Sequence, residues 1–442
     1  MSEWVPTPAD IARAGDRARI RRVREGGRPL ALLMLIAGPG ILVMLGENDG
    51  PSMLSYATTG ATYGIGFFVP FIVLTFVMAY VVQEAVLRIG IATHRGHAEL
   101  IASRFGMVWG WFAMLDLFVG NLLTLVAEFV AIAAGAAFFG IPPLVAVSGS
   151  ALLVVASMCT RRYFTWERAV MTLAAANLLF VPAAFFAHPD PALIARALAT
   201  WQPLPGGANA QFLMLVLANV GATVTPWMLF FQQSAVVDKG LTKSDLRQGR
   251  IDTAVGATVA AIVAVAAVVV TAPLFAHRAN VAQFAGGGDF ATALRPYLGS
   301  GGATLFALGM IEAGLVAAMT ISTSSAYGVG EVMRKGHSLN LTLSQGRLFY
   351  GISVGSIAIA AAVVLIPHAP LLAITLAVNV IATLLMAPAL IFVLVLANDR
   401  EIMGTLANGV RANLAGGAII VGISIVGAVY AVMLVVQEFG GH

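Results

Sequence analysis

The sequence predicts an all-α membrane protein with about eleven transmembrane helices. Three observations carry that expectation: 59% of the 442 residues are hydrophobic, only 10% are charged, and the apolar runs are long. A soluble domain carries about 25% charged residues, so a chain this apolar cannot cover a water-facing surface. In lipid, only helices and closed barrels satisfy their own backbone groups. A barrel strand is an alternating stretch of about ten residues, whereas these runs are longer and do not alternate, so helices are expected.

The first element is a tail. Residues 1–30 are polar and hold seven arginines, and no small-x-small cleavage site follows. They read as a basic, amphipathic cytoplasmic tail rather than a signal peptide. Spans are then expected at 31–58, 64–87, 107–139, 141–160, 168–187, 211–235, 252–275, 303–332, 348–366, 370–397 and 413–436. The third, eighth and tenth exceed about 20 residues and must tilt or project beyond the bilayer. Spans 1–5 (31–187) form one unit, spans 6–10 (211–397) a second, and span 11 (413–436) is an addition.

Charge sets the orientation. With the N-terminus inside, 22 of the 25 Lys and Arg fall on inside segments, and only Arg196, Arg278 and Arg295 fall outside. That asymmetry places the N-terminus inside and, after eleven spans, the C-terminus outside. It also accounts for the net charge of +4 without a nucleic-acid partner. The expected surroundings are a lipid bilayer, that of a bacterial cytoplasmic membrane, with a monomer as the simplest state. The lone Cys159 excludes an internal disulfide and reads as a small buried residue.

Two spans are interrupted at matching places. The first reads GPGILVMLGENDGPSMLSYATTG (38–60), with Gly50 and Pro51 beside a carboxylate. The sixth reads ANVGATVTPWMLFFQQS (218–234), with Gly221 and Pro226 at its centre. Each opens a set of five spans. Five is odd, so the second set lies inverted relative to the first. Paired breaks in inverted halves are the sequence mark of a midplane substrate site. No GxxxxGK[ST] segment is present, so a built-in ATPase is not expected.

Asp49 sits at the first break, where an Asp costs about 2.5–3.5 kcal/mol on insertion scales. A cation is its natural partner, and the break frees carbonyls that suit hard cations. The structural alternative is an Asp that caps the half-helix after Pro51. At most two of Glu47, Asn48 and Asp49 can face one ion, and Ser52 offers a hydroxyl. Glu47 and Asn48 read as supporting groups or as the mouth of the pathway. At the sixth span the candidates are the carbonyls of Ala222 and Thr225 and the Thr225 hydroxyl. Pro226 leaves a carbonyl one turn earlier unpaired, and Trp227 reads as packing or as a wall.

The segments GPGILVMLGENDGPS (38–52), GIATHRGHAEL (90–100), GATVTPWMLFFQQS (221–234), ISTSSAYGVGEVM (321–333) and NDREIMG (398–404) resemble the Nramp family of divalent-metal transporters in order and spacing. The resemblance covers essentially the whole chain. It implies a LeuT-type 5+5 inverted repeat, broken helices 1 and 6, and alternating access. The departures bear on the ion. The family's Asp-Pro-Gly-Asn is here Asp49-Gly50-Pro51-Ser52, and its Met-Pro-His is Thr225-Pro226-Trp227. The thioether ligand and a histidine linked with proton movement are both absent.

Thioethers favour soft metals, and oxygen ligands suit magnesium, calcium and manganese. Magnesium keeps several waters when bound, so one carboxylate with small polar groups suffices for it. All seven histidines (94, 97, 188, 277, 337, 368 and 442) are expected in loops or tails. On the third span Glu128 matches a family proton-relay Glu, while the relay Asp position falls on Leu125. Asp116 is expected nearer the cytoplasmic end, in a solvated role.

On the tenth span Asn379 lies where relatives place a polar ligand, with interhelical bonding as the alternative. Glu312 and Glu331 are expected near the ends of the eighth span, and the small polar run Thr320–Ser325 is expected to allow close packing. The pattern is similar to the Nramp-related magnesium transporters. The expected function is import of Mg2+, with Mn2+ as a second ion, without proton coupling. The alternatives are a proton-coupled Mn2+/Fe2+ importer and a sodium-coupled carrier of organic solutes. No enzyme constellation is present and no cofactor is expected.

Overall fold

A computed structural model describes residues 8–202, 204, 207, 209–281, 284, 287–366 and 371–439. His368, His442, residues 1–7 of the tail and residue 370 of the tenth span lie outside that set. Among the described residues the chain is helical throughout. Ten helices are long and apolar enough to cross a membrane, or eleven when a bent pair counts as one span.

The tail forms α1 (Pro8–Glu25), followed by α2 (Pro29–Ile36), α3 (Pro39–Gly46) and α4 (Gly50–Tyr63). Then come α5 (Phe68–Thr93), α6 (His97–Phe105), α7 (Met107–Ala137), α8 (Pro143–Ser157), α9 (Tyr163–Ala174), α10 (Phe180–Phe186) and α11 (Pro191–Thr200). The second half holds α12 (Ala210–Gly221), α13 (Pro226–Lys239), α14 (Leu246–Ala276), α15 (Gly287–Val332), α16 (Arg347–Val364), α17 (Leu371–Asn398), α18 (Arg400–Met403) and α19 (Val410–Phe439). Every expected span has its counterpart. α7 and α15 run along each other through the centre, and α14 packs on α3, α4 and α5.

The first span breaks between α3 and α4, and the sixth between α12 and α13, as the Gly and Pro positions predict. It also bends a second time, by 49° between α2 and α3. Gly38 adopts φ 155 there, a conformation that L side chains rarely adopt. The turned amides of Gly38 and Gly40 donate to the Asp252 carboxylate on α14, at 3.0 and 2.7 Å. A carboxylate on another helix thus caps α3, and nothing in the local sequence announces it.

The same end of the bundle buries a cation. The Lys239 ammonium, at the end of α13, donates to Glu167 Oε2 at 2.6 Å and to the Ala37 carbonyl at 2.8 Å. It also stands 4.9 Å from the Phe164 ring centroid. Tyr163 donates to the other Glu167 oxygen at 2.8 Å. The α2–α3 bend is therefore tied to α9 and α13 by a charge pair that water does not reach. α1 docks beside it through buried Ile20, and Arg24 pairs with Asp245.

Three expectations need correction. Cys159 is exposed, because it lies on the short 3-10 turn Met158–Thr160 at the end of α8 rather than on a packed face. His97 is not in a loop; it begins α6 and is fully buried. Glu312 is not near a span end. α15 starts earlier than expected and bends at Gly299, which carries Glu312 into the packed interior.

Candidate substrate site at the paired helix breaks

Residues 47–49 leave the helix between α3 and α4, because α4 begins afresh at Gly50-Pro51. Pro51 has no amide proton to lose, and Asp49 supplies the N-cap: its Oδ1 accepts from the Ser52 amide at 2.8 Å. The capping role weighed from the sequence is therefore real. It occupies one carboxylate oxygen and does not remove the charge.

Glu128 reaches the same break from α7. Its Oε2 accepts from the Gly50 amide at 2.9 Å. Gly50 is required there, since a β-carbon would run into the Ala131 side chain. At the sixth span the break falls at 222–225, and Thr225 precedes the new helix. The Thr225 hydroxyl donates to Glu47 Oε2 at 2.8 Å, directly bridging the two broken spans. Glu47, read from sequence as a supporting group, is thus the direct partner of Thr225.

Asn48 faces elsewhere. Its Nδ2 donates to the Ala260 carbonyl on α14 at 2.9 Å, and its own carbonyl accepts from Asn177 at 3.2 Å. Asn177 also donates to Glu312 at 3.3 Å, so Glu312 supports the break from behind. Glu47 and Asp49 therefore turn toward the break, and Asn48 turns toward the scaffold.

A polar seam closes one side. The Tyr56 hydroxyl donates to the Ala222 carbonyl at 2.6 Å. Asn379 donates from α17 to Ser55 at 2.9 Å, the interhelical bond weighed as its alternative role. Asn219 donates to Thr59 at 2.7 Å, and the Thr75 and Thr223 hydroxyls are hydrogen-bonded at 2.9 Å. Gly221 lets α17 approach, since a β-carbon would strike the Asn379 carbonyl. Sequence reasoning missed Tyr56, Asn219 and Thr223. The available signal was the spacing of Ser55 and Thr59 one turn apart on α4.

Trp227 packs over Gly46, where a β-carbon would stand 3.1 Å from its ring, and lies 6.0 Å from Phe231. Its ring therefore packs against the break on the α3 side. Ser324 donates to the Trp227 carbonyl at 3.1 Å, so part of the 320–325 run serves helix packing. Leu125 is buried, Asp116 is half-buried on α7, and Glu331 caps α6 through the Ala98 amide at 2.9 Å.

The electrostatics of the site are one-sided. Asp49 is 1% exposed and Thr225 3%, so both lie in the packed interior. The charges of Glu47, Asp49 and Glu128 reach one another, and no ion pair to these three is present among the described residues. Glu47 Oε1, Ser52 Oγ and Glu128 Oε1 are buried without a hydrogen-bond partner. Among the described residues no three of His, Cys, Asp and Glu are arranged to hold one ion. The donor set available at the breaks is therefore carboxylate oxygen supplemented by hydroxyl and carbonyl oxygen.

The family model for Nramp, natural resistance-associated macrophage protein-like, matches residues 40–434. A divalent metal cation transporter MntH of Yersinia pestis is 30% identical over 311 residues, covering 67% of this chain and 72% of the relative. Its counterpart in Erwinia tasmaniensis is 27% identical over 327 residues, covering 72% and 75%. A crystal structure of the Eremococcus coleocola manganese transporter, in complex with an aromatic bis-isothiourea substituted compound, superposes with a TM-score of 0.74. That match covers 93% of this chain and 89% of that one at 18% identity, and it carries the fold. With the family pattern running from the first broken span into the last helix, the chain belongs to the Nramp family.

Proposed function

We propose that this protein moves divalent metal cations across the membrane by alternating access, with the ion held between the two broken helices. The observation that carries the reading is the cluster of buried carboxylates without a cationic partner at the paired breaks. Each costs about 2.5–3.5 kcal/mol at a helix centre, and a buried orphan acceptor adds about 1–3 kcal/mol. A divalent ion offsets both terms at once. The names of the bacterial relatives, divalent metal cation transporters, point to the same substrate class.

Asp49 supplies the central charge, with the Thr225 and Ser52 hydroxyls and the Ala222 carbonyl around it. Glu47 joins them through its bond to Thr225. The Ala222 carbonyl already accepts from Tyr56, and a carbonyl has a second lone pair to offer. Opening would come from a group of helices that includes both broken spans moving against the rest of the bundle, releasing one side of the site at a time.

Within that class the donor set favours Mg2+. The ligands are oxygens, with Thr225 in place of a thioether, and oxygen sites suit hard ions. A membrane potential alone would drive uptake, since a divalent ion gains about 4.6 kcal/mol per 100 mV on entry. The second reading is proton-coupled Mn2+ import. It is favoured by the manganese-transporter neighbour and by Glu47, Glu128 and Glu312, buried carboxylates able to carry a proton.

Proteoliposomes separate the readings. Mg2+, Mn2+ and Ca2+ entry and internal pH are followed together under an imposed potential. Mg2+ entry without acidification is expected; manganese-driven acidification with Mg2+ excluded would establish the second reading instead. Asp49→Asn is the decisive variant, because Asn caps a helix as well as Asp and removes only the charge. Uptake should vanish with thermal stability kept. Normal uptake by Asp49→Asn would refute the site.

A further inference from the structure

A second feature lies away from the transport path, on the flank of the bundle where α5, α14, α17 and α19 meet. A cleft of about 440 Å³ opens there, at the end that bears the basic loops. Three guanidiniums line it, those of Arg88, Arg250 and Arg411, against one carboxylate, Glu84. Arg88 is spent on structure: it pairs with Glu84 at 2.8 Å and donates to the Leu406 carbonyl and to Asn408 at 2.7 Å each. Arg250 shares Glu84 at 2.6 Å, with its side chain 46% exposed. Arg411 is exposed and, among the described residues, makes no ion pair or hydrogen bond. The cleft therefore presents more positive charge than its one carboxylate neutralises.

Apart from Asn408 and the Tyr80 hydroxyl, the rest of the cleft is apolar, with walls that include Val81, Leu390, Val393 and Ile420. Small residues on α19, Ala412, Ala415 and Gly416, keep it open. A β-carbon at Gly416 would already stand 3.1 Å from Leu394. Tyr80 also lines a second cavity of about 530 Å³, further along the same helix. That one is bounded by Val73, Val77, Leu198, Ile262 and Val265, with no charged group in its lining. From Arg88 to Val69 the two cavities follow α5 for about 28 Å, at about 1.5 Å per residue. One leaflet's hydrocarbon is about 15 Å deep.

We infer that this cleft is a binding site for an anionic phospholipid, its phosphate held at Arg250 and Arg411 and an acyl chain laid along α5. A cationic rim over an apolar cleft, with a second apolar cavity beyond it along α5, fits an amphiphile with a negative head. Neither a soluble anion nor a neutral lipid uses both parts. Basic pockets between membrane helices on the cytoplasmic side recognise acidic headgroups in this manner. The occupied trough would brace α17, which carries Asn379, against α5 and α19.

The test uses the full-length protein, delipidated in detergent and re-supplied with phosphatidylglycerol, phosphatidylcholine or inorganic phosphate. Bound lipid is counted by native mass spectrometry, and thermal stability is read in parallel. Phosphatidylglycerol should be retained at about one per chain and raise the melting temperature. Arg411→Gln should weaken that retention about five-fold, since one basic side chain at a membrane surface contributes about 1 kcal/mol. Ala415→Phe, which fills the trough and keeps every arginine, should lower retention as well. Equal retention of both lipids by the wild type would overturn the inference. So would phosphatidylglycerol retention unchanged by Arg411→Gln, or inorganic phosphate alone reproducing the stabilisation.

Discussion

At the scale of single residues, the chemistry rests on what replaces the soft ligand. Thr225 places a hydroxyl against Glu47 at the meeting point of both broken spans. Thr225→Met would put a thioether there and remove that bond. The proposed consequence is a shift of preference toward Mn2+ and other transition metals by about tenfold or more, measured as competition against Mg2+ uptake. Unchanged selectivity would show that position 225 does not set it.

His97 gives a separate prediction. Burial holds its imidazole down to about 4, partly opposed by the hydrogen bond to Gln233 at 2.8 Å. An unfolded chain's histidine titrates near 6.5. Between those values the unfolded state takes up a proton that the native state refuses. Stability should therefore fall as pH drops from about 6.5 to about 4, by up to about 3 kcal/mol, and level off below. His97→Asn should flatten that part of the melting-temperature profile. His97 stays neutral at physiological pH, so it is a packed strut between α6 and α13, not a pH sensor.

At the scale of elements, helix ends are held by side chains from other helices. Asp252 caps α3, Glu128 holds the first amide of α4, and Glu331 caps α6. The Lys239–Glu167 pair is the costliest of these ties because both side chains are almost wholly buried, at 0% and 2% exposure. Removing one partner strands a buried charge, at about 3–5 kcal/mol. Lys239→Met should lower the melting temperature sharply, and adding Glu167→Gln should recover much of the loss. If the double variant is as unstable as the single one, the tie acts through packing rather than charge.

These element-level ties also mark the limit of what the sequence showed. The breaks at Gly50-Pro51 and Pro226 were legible, because Gly and Pro disrupt a helix wherever they stand. Glu47 and Thr225 were each legible as polar residues at a break, while their pairing across 178 positions was not. The bend at Gly38 was invisible for the same reason: its amides are satisfied by Asp252, 214 positions on. Glu312 was misplaced because apolarity alone does not show where α15 bends.

At the scale of the whole molecule, the charge asymmetry proposes an inside N-terminus and an outside C-terminus. A reporter fused after the last helix should read outside, and one fused before α1 inside. Both on one side would require an even number of spans. The sequence by itself determined that the chain is helical and membrane-bound, that two spans break at matching places, and that Asp49 stands at one break. Those features follow from local rules: hydropathy against bilayer thickness, and backbone propensity at Gly and Pro. Only the tertiary structure decided which side chains meet at the breaks: Glu47 with Thr225, Glu128 with Gly50, Asn48 with the scaffold, Tyr56 with Ala222. It alone decided that Lys239 is buried and that Arg411 faces an apolar trough. Contacts between helices far apart in the chain depend on how the bundle packs, and no local pattern of residues encodes that.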